Sequence, residues 1–374
     1  MVATMAEPIR ILHVLGGISL GGAESRIMDL YRHIDRNLIQ FDFLIHQTQK
    51  GYYEEEIETL GGRVYRVPRF RLYNMIAYKK ALRDFFRSHH EFGAVHGHMT
   101  STAAIYLPIA KKSGIPVTIA HARSAGVDQG IKGIITRLLR LPLRKKCDYM
   151  FACSALAARS VFGEESARNN SVKIVPNAID TAQFAYCEEA RARMRRTLSL
   201  EDKFVIGHVG RFHYAKNHEY LLAVFQKIAQ KREDALLLLL GEGSLMEEMK
   251  ERAASLGIAE RVIFCGNQKE TWDYYQAMDY LIFPSRFEGL PGTVVEAQCA
   301  GLRCLISDTI AQEVRITELV TCLSIQEEPE KWAAYVLGDE TDERRDRHEQ
   351  VAAAGYDVGQ QAAWYESFYR HGRG

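Results

Sequence analysis

The chain has 374 residues, 47% hydrophobic and 25% charged, a composition that excludes disordered, collagen-like and coiled-coil classes. The length exceeds the roughly 250–300 residues at which single cores stop growing, so two domains are expected. Net charge is +1, but residues 1–180 hold 25 basic and 16 acidic side chains (net +9) and the remainder 23 and 31 (net −8). This asymmetry fits either an anionic partner for the first half or two differently charged solvated surfaces.

In chain order, short apolar runs alternate with longer amphipathic stretches. Ile9–Leu15 reads as a buried strand, followed by the glycine-rich turn 16–22 and a helix from Ala23 to about His33. Further strands are expected at Phe41–Ile45, Val64–Val67, Ala94–His96, Val117–Ala120, Tyr149–Ala152 and Val172–Val175. Repeated strand–helix units of this length imply a parallel sheet covered on both faces. A polar stretch between Asn177 and Glu201, with a helix near Cys187–Arg196, marks the boundary. A second set of strands follows at Phe204–Val209, Ala235–Leu240, Arg261–Phe264, Tyr280–Phe283 and Arg303–Ser307. Six apolar residues in a row at 235–240 suit a central strand buried on both faces. The expected fold class is therefore α/β, two doubly wound Rossmann-like domains facing a cleft, with ligands at the carboxyl ends of the strands. The boundaries expected are 1–180 and 181–355. Residues 356–374 form a final aromatic-rich helix, expected to pack back on the first domain.

The seven cysteines include no Cys-x-x-Cys pair, which argues against a disulfide framework or a zinc knuckle and for buried reduced thiols. The first residues lack the charged-then-apolar order of a signal peptide, and no apolar run approaches the ~18 residues of a membrane span. A cytoplasmic location is expected, with any membrane contact peripheral. Residues 131–146 carry six basic residues and no acid. Such a basic amphipathic segment fits either an anionic bilayer or apolar positions turned to the core. Arg63, Arg66, Arg69 and Arg71 form another basic run, suited to an acceptor pyrophosphate. No nucleic-acid recognition pattern is found.

Three clusters carry chemistry. Glycines between the first strand and helix, including Gly21 and Gly22, either aim amides at an anion or form a plain turn. Their spacing is neither Gly-x-Gly-x-x-Gly nor a Walker loop. Directly after the strand Phe204–Val209, Arg211 and Lys216 lie on one loop, where two cations either suit a departing diphosphate or are plain solvated loop residues. After Tyr280–Phe283 comes Glu288-Gly289-Leu290-Pro291-Gly292-Thr293-Val294-Val295-Glu296. A helix starting near Gly292–Thr293 presents free amides to phosphate, and carboxylates at Glu288 and Glu296 either suit sugar hydroxyls or are an exposed loop acid and a favourable acid near a helix start.

With these clusters in this order, the chain resembles the retaining nucleotide-sugar glycosyltransferases of family 4, which have the GT-B fold. The resemblance rests on Arg211 and Lys216 in Gly-Arg-x4-Lys, Gly241-Glu242-Gly243, and Glu288 with Glu296 in Glu-x7-Glu. The wording around Glu288–Gly301 and Ser307–Ile310 resembles the bacterial exopolysaccharide and capsular polysaccharide branch. The resemblance implies that Gly21 and Gly22 touch the donor diphosphate and that Arg211 and Lys216 stabilise the departing nucleoside diphosphate. It implies that Glu288 orients the donor sugar, that Glu296 binds the ribose, and that Gly292 and Thr293 complete the phosphate cradle. His121 is expected beside the donor sugar and His98 at the acceptor. No Asp-x-Asp occurs, so no metal and no cofactor is expected. The donor expected is a UDP-sugar and the acceptor a lipid-linked saccharide. A nucleotide-sugar epimerase-like enzyme and a non-catalytic sugar-nucleotide scaffold are the alternatives.

Overall fold

The computed structural model describes residues 7–123, 131–339 and 344–372. The chain divides into two compact units, Met1–Ala178 with Val358–Gly374, and Ile179–Asp357.

The first unit holds β1 (Ile9–Leu15), β2 (Ile39–Ile45), β3 (Val64–Arg66), β4 (Phe92–Gly97), β5 (Val117–Ala122), β6 (Tyr149–Ala152) and β7 (Val172–Ile174). They form a parallel sheet in the order β3-β2-β1-β4-β5-β6-β7. All seven residues of β2 are buried. Its charged Asp42 is tolerated there because Arg10 Nε donates to Oδ2 at 2.6 Å and the Arg63 amide donates to Oδ1 at 2.7 Å. Helix Val358–His371 returns to this unit, placing Val358, Ala362, Tyr365 and Phe368 in one core with Ile27, Phe41 and Phe151.

The second unit holds β8 (Phe204–Val209), β9 (Ala235–Leu240), β10 (Val262–Phe264), β11 (Tyr280–Phe283), β12 (Arg303–Ser307) and β13 (Val320–Leu323). Their order is β10-β9-β8-β11-β12-β13, again parallel. The apolar run of β9 lies inside the sheet, between β10 and β8. β13 escapes sequence reading because only Val320 in Val-Thr-Cys-Leu is buried; an edge strand has no two-sided apolar signature. Burial of the cysteines is less complete than expected. Cys153, Cys299 and Cys304 are buried, three more are part-buried, and Cys187 is exposed.

The two sheets share one logic. In each, the strand order reverses beside the first strand, between β1 and β4 and between β8 and β11. The loops leaving those neighbouring strands diverge to opposite faces, which opens a crevice at the strand ends. Among the described residues, no helix is long and apolar enough to cross a membrane.

The returning helix is held by aromatic packing. Phe368 is 2% exposed and meets Tyr149 edge-on at 5.1 Å and Phe151 at 5.2 Å between ring centroids. Phe368→Ala is expected to lower stability by about 3–5 kcal/mol, read by urea denaturation followed by circular dichroism.

Candidate active site

In the second unit, the crevice between β8 and β11 is lined by the loop 210–217 and the loop 284–291. Several contacts join these loops. The Arg286 amide donates to Ala215 O at 2.7 Å, and Asn217 Nδ2 donates to Pro284 O at 3.2 Å. The Arg286 guanidinium lies 4.6 Å from the Tyr214 ring centroid. Asn217 adopts a left-handed conformation (φ 58°), which ends the loop and starts helix His218–Ala229. Gly241 is required behind the loop: its φ is +131°, and a Cβ there would lie 2.3 Å from Gly210 O.

The structure brings Lys216 and Glu288 together, with Nζ 2.6 Å from Oε1. Lys216 Nζ also lies 4.5 Å from the Phe283 ring centroid. Both members of the pair are only about one-fifth exposed (18% and 21%), so solvent screens them less than a surface pair. Arg211 is exposed and has no ion-pair partner among the described residues. The loop therefore offers one cation already engaged with a carboxylate and one available to an incoming anion.

Helix Gly292–Cys299 follows, with Pro291 at its N-cap and no side-chain cap. Thr293 Oγ1 donates to Val209 O at 3.2 Å, pinning the first turn to the end of β8. The uncapped amides and the positive dipole end are thus fixed beside the loop that carries Arg211. Glu296 is buried (7% exposed), and its Oε2 accepts from Tyr275 Oη at 2.7 Å. Tyr275 is a partner that sequence reading missed; only an apolar-looking helix position marks it.

The loop 210–217 rests on two imidazoles. His208 Nδ1 bonds Ile282 O at 2.9 Å, and His218 stacks on Phe212 with centroids 4.1 Å apart. Burial pushes His208 down to about 4 and His218 to about 2, so both are neutral at physiological pH.

In the first unit, Gly21 caps helix Gly22–His33 without a side-chain bond. Glu24 occupies the space beside it: a Cβ on Gly21 would lie 2.3 Å from Glu24 Oε2. Burial raises the Glu24 carboxyl above its usual range, while a bond to its own backbone pulls the other way. Sequence reading passed over Glu24, whose carboxylate lies against Gly21, while a Cβ on Gly22 would meet open space.

His13, His96, His98 and His121 gather at the ends of β1, β4 and β5. His13 Nδ1 lies 3.0 Å from His98 Nε2, and His96 Nε2 lies 3.0 Å from His121 Nδ1. His96 Nδ1 bonds Tyr369 Oη at 2.7 Å, tying the cluster to the C-terminal helix. Arg123 Nε donates to His98 Nδ1 at 3.4 Å. A guanidinium only donates, so neutral His98 carries its proton on Nε2 and gives it to His13 Nδ1, which leaves the His13 proton on Nε2. Burial and the Arg123 charge depress all four, His13 to about 3. His121, expected beside a sugar, has no exposed surface, whereas His98 is part-exposed. Among the described residues, one trio of possible metal ligands occurs, His13, His96 and His98, with nitrogens within 4.8 Å of one another. The bonds just given engage every ring nitrogen of the trio except His13 Nε2, and the Arg123 cation opposes a second positive charge.

Residues 20–183 match the family described as Glycosyltransferase Family 4, and residues 190–357 match that described as Glycosyl transferases group 1. A Bacillus subtilis protein named as the glycosyltransferase EpsF is 33% identical over 360 residues, covering 94% of each chain. The chain is a family 4 glycosyltransferase. The Staphylococcus aureus capsular polysaccharide biosynthesis glycosyltransferase CapH is 22% identical over 336 residues, covering 88% of this enzyme and 90% of CapH. Among solved structures, Anabaena HepE in complex with UDP and glucose superposes with a TM-score of 0.77 at 17% identity, covering 96% of this enzyme and 99% of HepE. The two Rossmann-like units are those of the GT-B fold.

The geometry makes two predictions. The buried histidines are neutral when folded and protonate near pH 6.5 when unfolded, so the unfolded enzyme binds more protons below that pH. Stability is therefore full above about pH 6.5 and is lost as pH falls toward about 4. Melting temperature should fall over that window, and His218→Phe should reduce proton uptake on unfolding by about one. If the Gly21–Gly22 turn receives phosphate, Glu24→Gln should tighten nucleoside diphosphate binding about fivefold by calorimetry. Unchanged affinity would remove that turn from the site.

Proposed function

We propose that this glycosyltransferase moves a hexose or N-acetylhexosamine from a UDP-sugar, with retention and without a metal, to a lipid-linked oligosaccharide in bacterial surface polysaccharide assembly in the cytoplasm. The observation that carries the donor reading is the Lys216–Glu288 pair beside the uncapped first turn at Gly292 and the unpaired Arg211. A nucleotide-sugar gives each part a partner. Its diphosphate takes Lys216, Arg211 and the amides of Gly292 and Thr293, and its sugar hydroxyls take the released Glu288 carboxylate. Glu296, already oriented by Tyr275, accepts from the ribose.

In the reaction, the bond between the sugar's anomeric carbon and the diphosphate oxygen breaks. A bond from the acceptor hydroxyl forms on the same face, and the hydroxyl proton passes to the departing diphosphate. Arg211 and Lys216 stabilise the charge that grows on that leaving group. His98, which has exposed surface, fits the acceptor side better than the enclosed His121. His121 acts by positioning His96, to which it is bonded.

The acceptor class is supported by relatives. An Escherichia coli UDP-Gal:alpha-D-GlcNAc-diphosphoundecaprenol alpha-1,3-galactosyltransferase is 24% identical over 226 residues, 58% of each chain. EpsF and CapH support the polysaccharide setting.

A thermal-shift screen against nucleotide-sugars should show a UDP-sugar raising the melting temperature. Transfer to membrane-extracted lipid-linked acceptor should release UDP, survive EDTA and give the retained anomer. Glu288→Gln and Lys216→Met should each lower kcat/KM about a hundredfold. Full transfer by Glu288→Ala would overturn the site, and epimerised sugar formed without acceptor would overturn the reaction.

A further inference from the structure

A buried acceptor lies at the foot of the loop that carries Arg211 and Lys216. His208 stands on β8 with no exposed surface, and its Nδ1 is 2.9 Å from Ile282 O. A carbonyl only accepts, so Nδ1 carries the proton and Nε2 of the neutral ring is a lone-pair acceptor. Among the described residues, that buried Nε2 has no hydrogen-bond partner. His218, whose ring centroid lies 4.7 Å away, does not meet it. Leaving a buried acceptor unmet costs free energy, and the cost falls away in any state that supplies a donor.

Lys216 is the donor at hand. A Cβ on Gly210 would lie 3.1 Å from His208 Nε2 and 3.2 Å from both Cδ and Cε of Lys216. The imidazole nitrogen and the end of the lysine stem therefore flank one small space, which glycine at 210 keeps open. Phe283 faces both groups. Its ring stacks on His208 with centroids 5.2 Å apart, and Lys216 Nζ lies 4.5 Å from its centroid. Burial holds the His208 imidazole neutral; the Ile282 bond pulls the other way, and the Lys216 charge adds to burial. An ammonium has three N–H donors, and here Glu288 takes Lys216 Nζ at 2.6 Å.

We propose that His208 is a positioning residue for Lys216: when a diphosphate draws the ammonium away from Glu288, one N–H donates to His208 Nε2 while the others face the phosphate oxygens. The inference rests on the donor reading and deepens it. Lys216 sits on a flexible stem, and losing the carboxylate would leave it many conformers. The imidazole fixes one of them. It also accepts without adding negative charge to a site that must stabilise an anion, whereas a carboxylate in its place would compete with the substrate for the cation.

The test is a double-mutant cycle on transfer by the full chain. His208→Asn keeps a donor for Ile282 O and removes the acceptor at Nε2. Alone it should lower kcat about tenfold with the KM for UDP-sugar little changed, because the charge that Lys216 meets grows in the transition state. His208→Gln, whose amide oxygen reaches toward the Nε2 position, should restore most of the loss. In a Lys216→Met background, His208→Asn should cost nothing further. No loss from His208→Asn alone, or equal losses in both backgrounds, would overturn the proposal and leave the donor reading standing. The unmutated chain gives a second measurement that no folding defect can blur. The 15N resonance of His208 Nε2 should move upfield, as hydrogen bonding requires, when UDP is added, and should stay in place in Lys216→Met. A resonance unmoved in the parent by saturating UDP would overturn the proposal. A parent whose melting temperature no UDP-sugar raises, and whose transfer survives Lys216→Met, would overturn the donor reading and this inference with it.

Discussion

Burial of both faces of a parallel sheet leaves chemistry only one kind of place to go. Helices cover the flat surfaces, so polar side chains and free amides collect at the strand ends. Each unit meets this constraint with the same order over its first six strands, and each gathers polar residues beside the place where that order reverses. In the second unit the result is Arg211, Lys216, Glu288 and the helix start at Gly292. In the first it is the glycine turn, Glu24 and four histidines.

The two strand-end sites solve the charge problem differently. The second unit pairs a lysine with a glutamate, so each is satisfied until something more demanding arrives. A diphosphate can outbid the carboxylate for Lys216, because it offers more charge and more acceptor oxygens. The first unit keeps its histidines neutral and bonded to one another in pairs, with the buried His13 Nε2 left without a partner among the described residues. Such a network rigidifies its surroundings because every change leaves a buried group unmet.

Much of this was legible in the sequence. Apolar runs such as Ala235–Leu240 announced the strands, and the Glu-x7-Glu spacing announced the loop and helix after β11. Edge strand β13 was illegible because it lacks a buried pattern. Which way the apolar positions of 131–141 face was also hidden, since periodicity gives a stripe but not its direction. The partners of the site residues were least visible. Tyr275 on Glu296 and Tyr369 on His96 depend on folding that joins distant segments, and no local spacing encodes them. Glu24 was overlooked because an acidic residue in a first helical turn is ordinary.

The direction imposed on the histidines by Arg123 reaches further than its own contact. Arg123 also donates to Asn177 Oδ1 at 2.9 Å, so residues from four separate stretches of chain share one chain of proton positions. These residues form a single heritable unit. An exchange at any one of them reverses or empties a bond at the next, so their effects on fitness should be strongly non-additive. A lone exchange at this place leaves a buried polar atom unmet, so replacement there is expected to be coordinated.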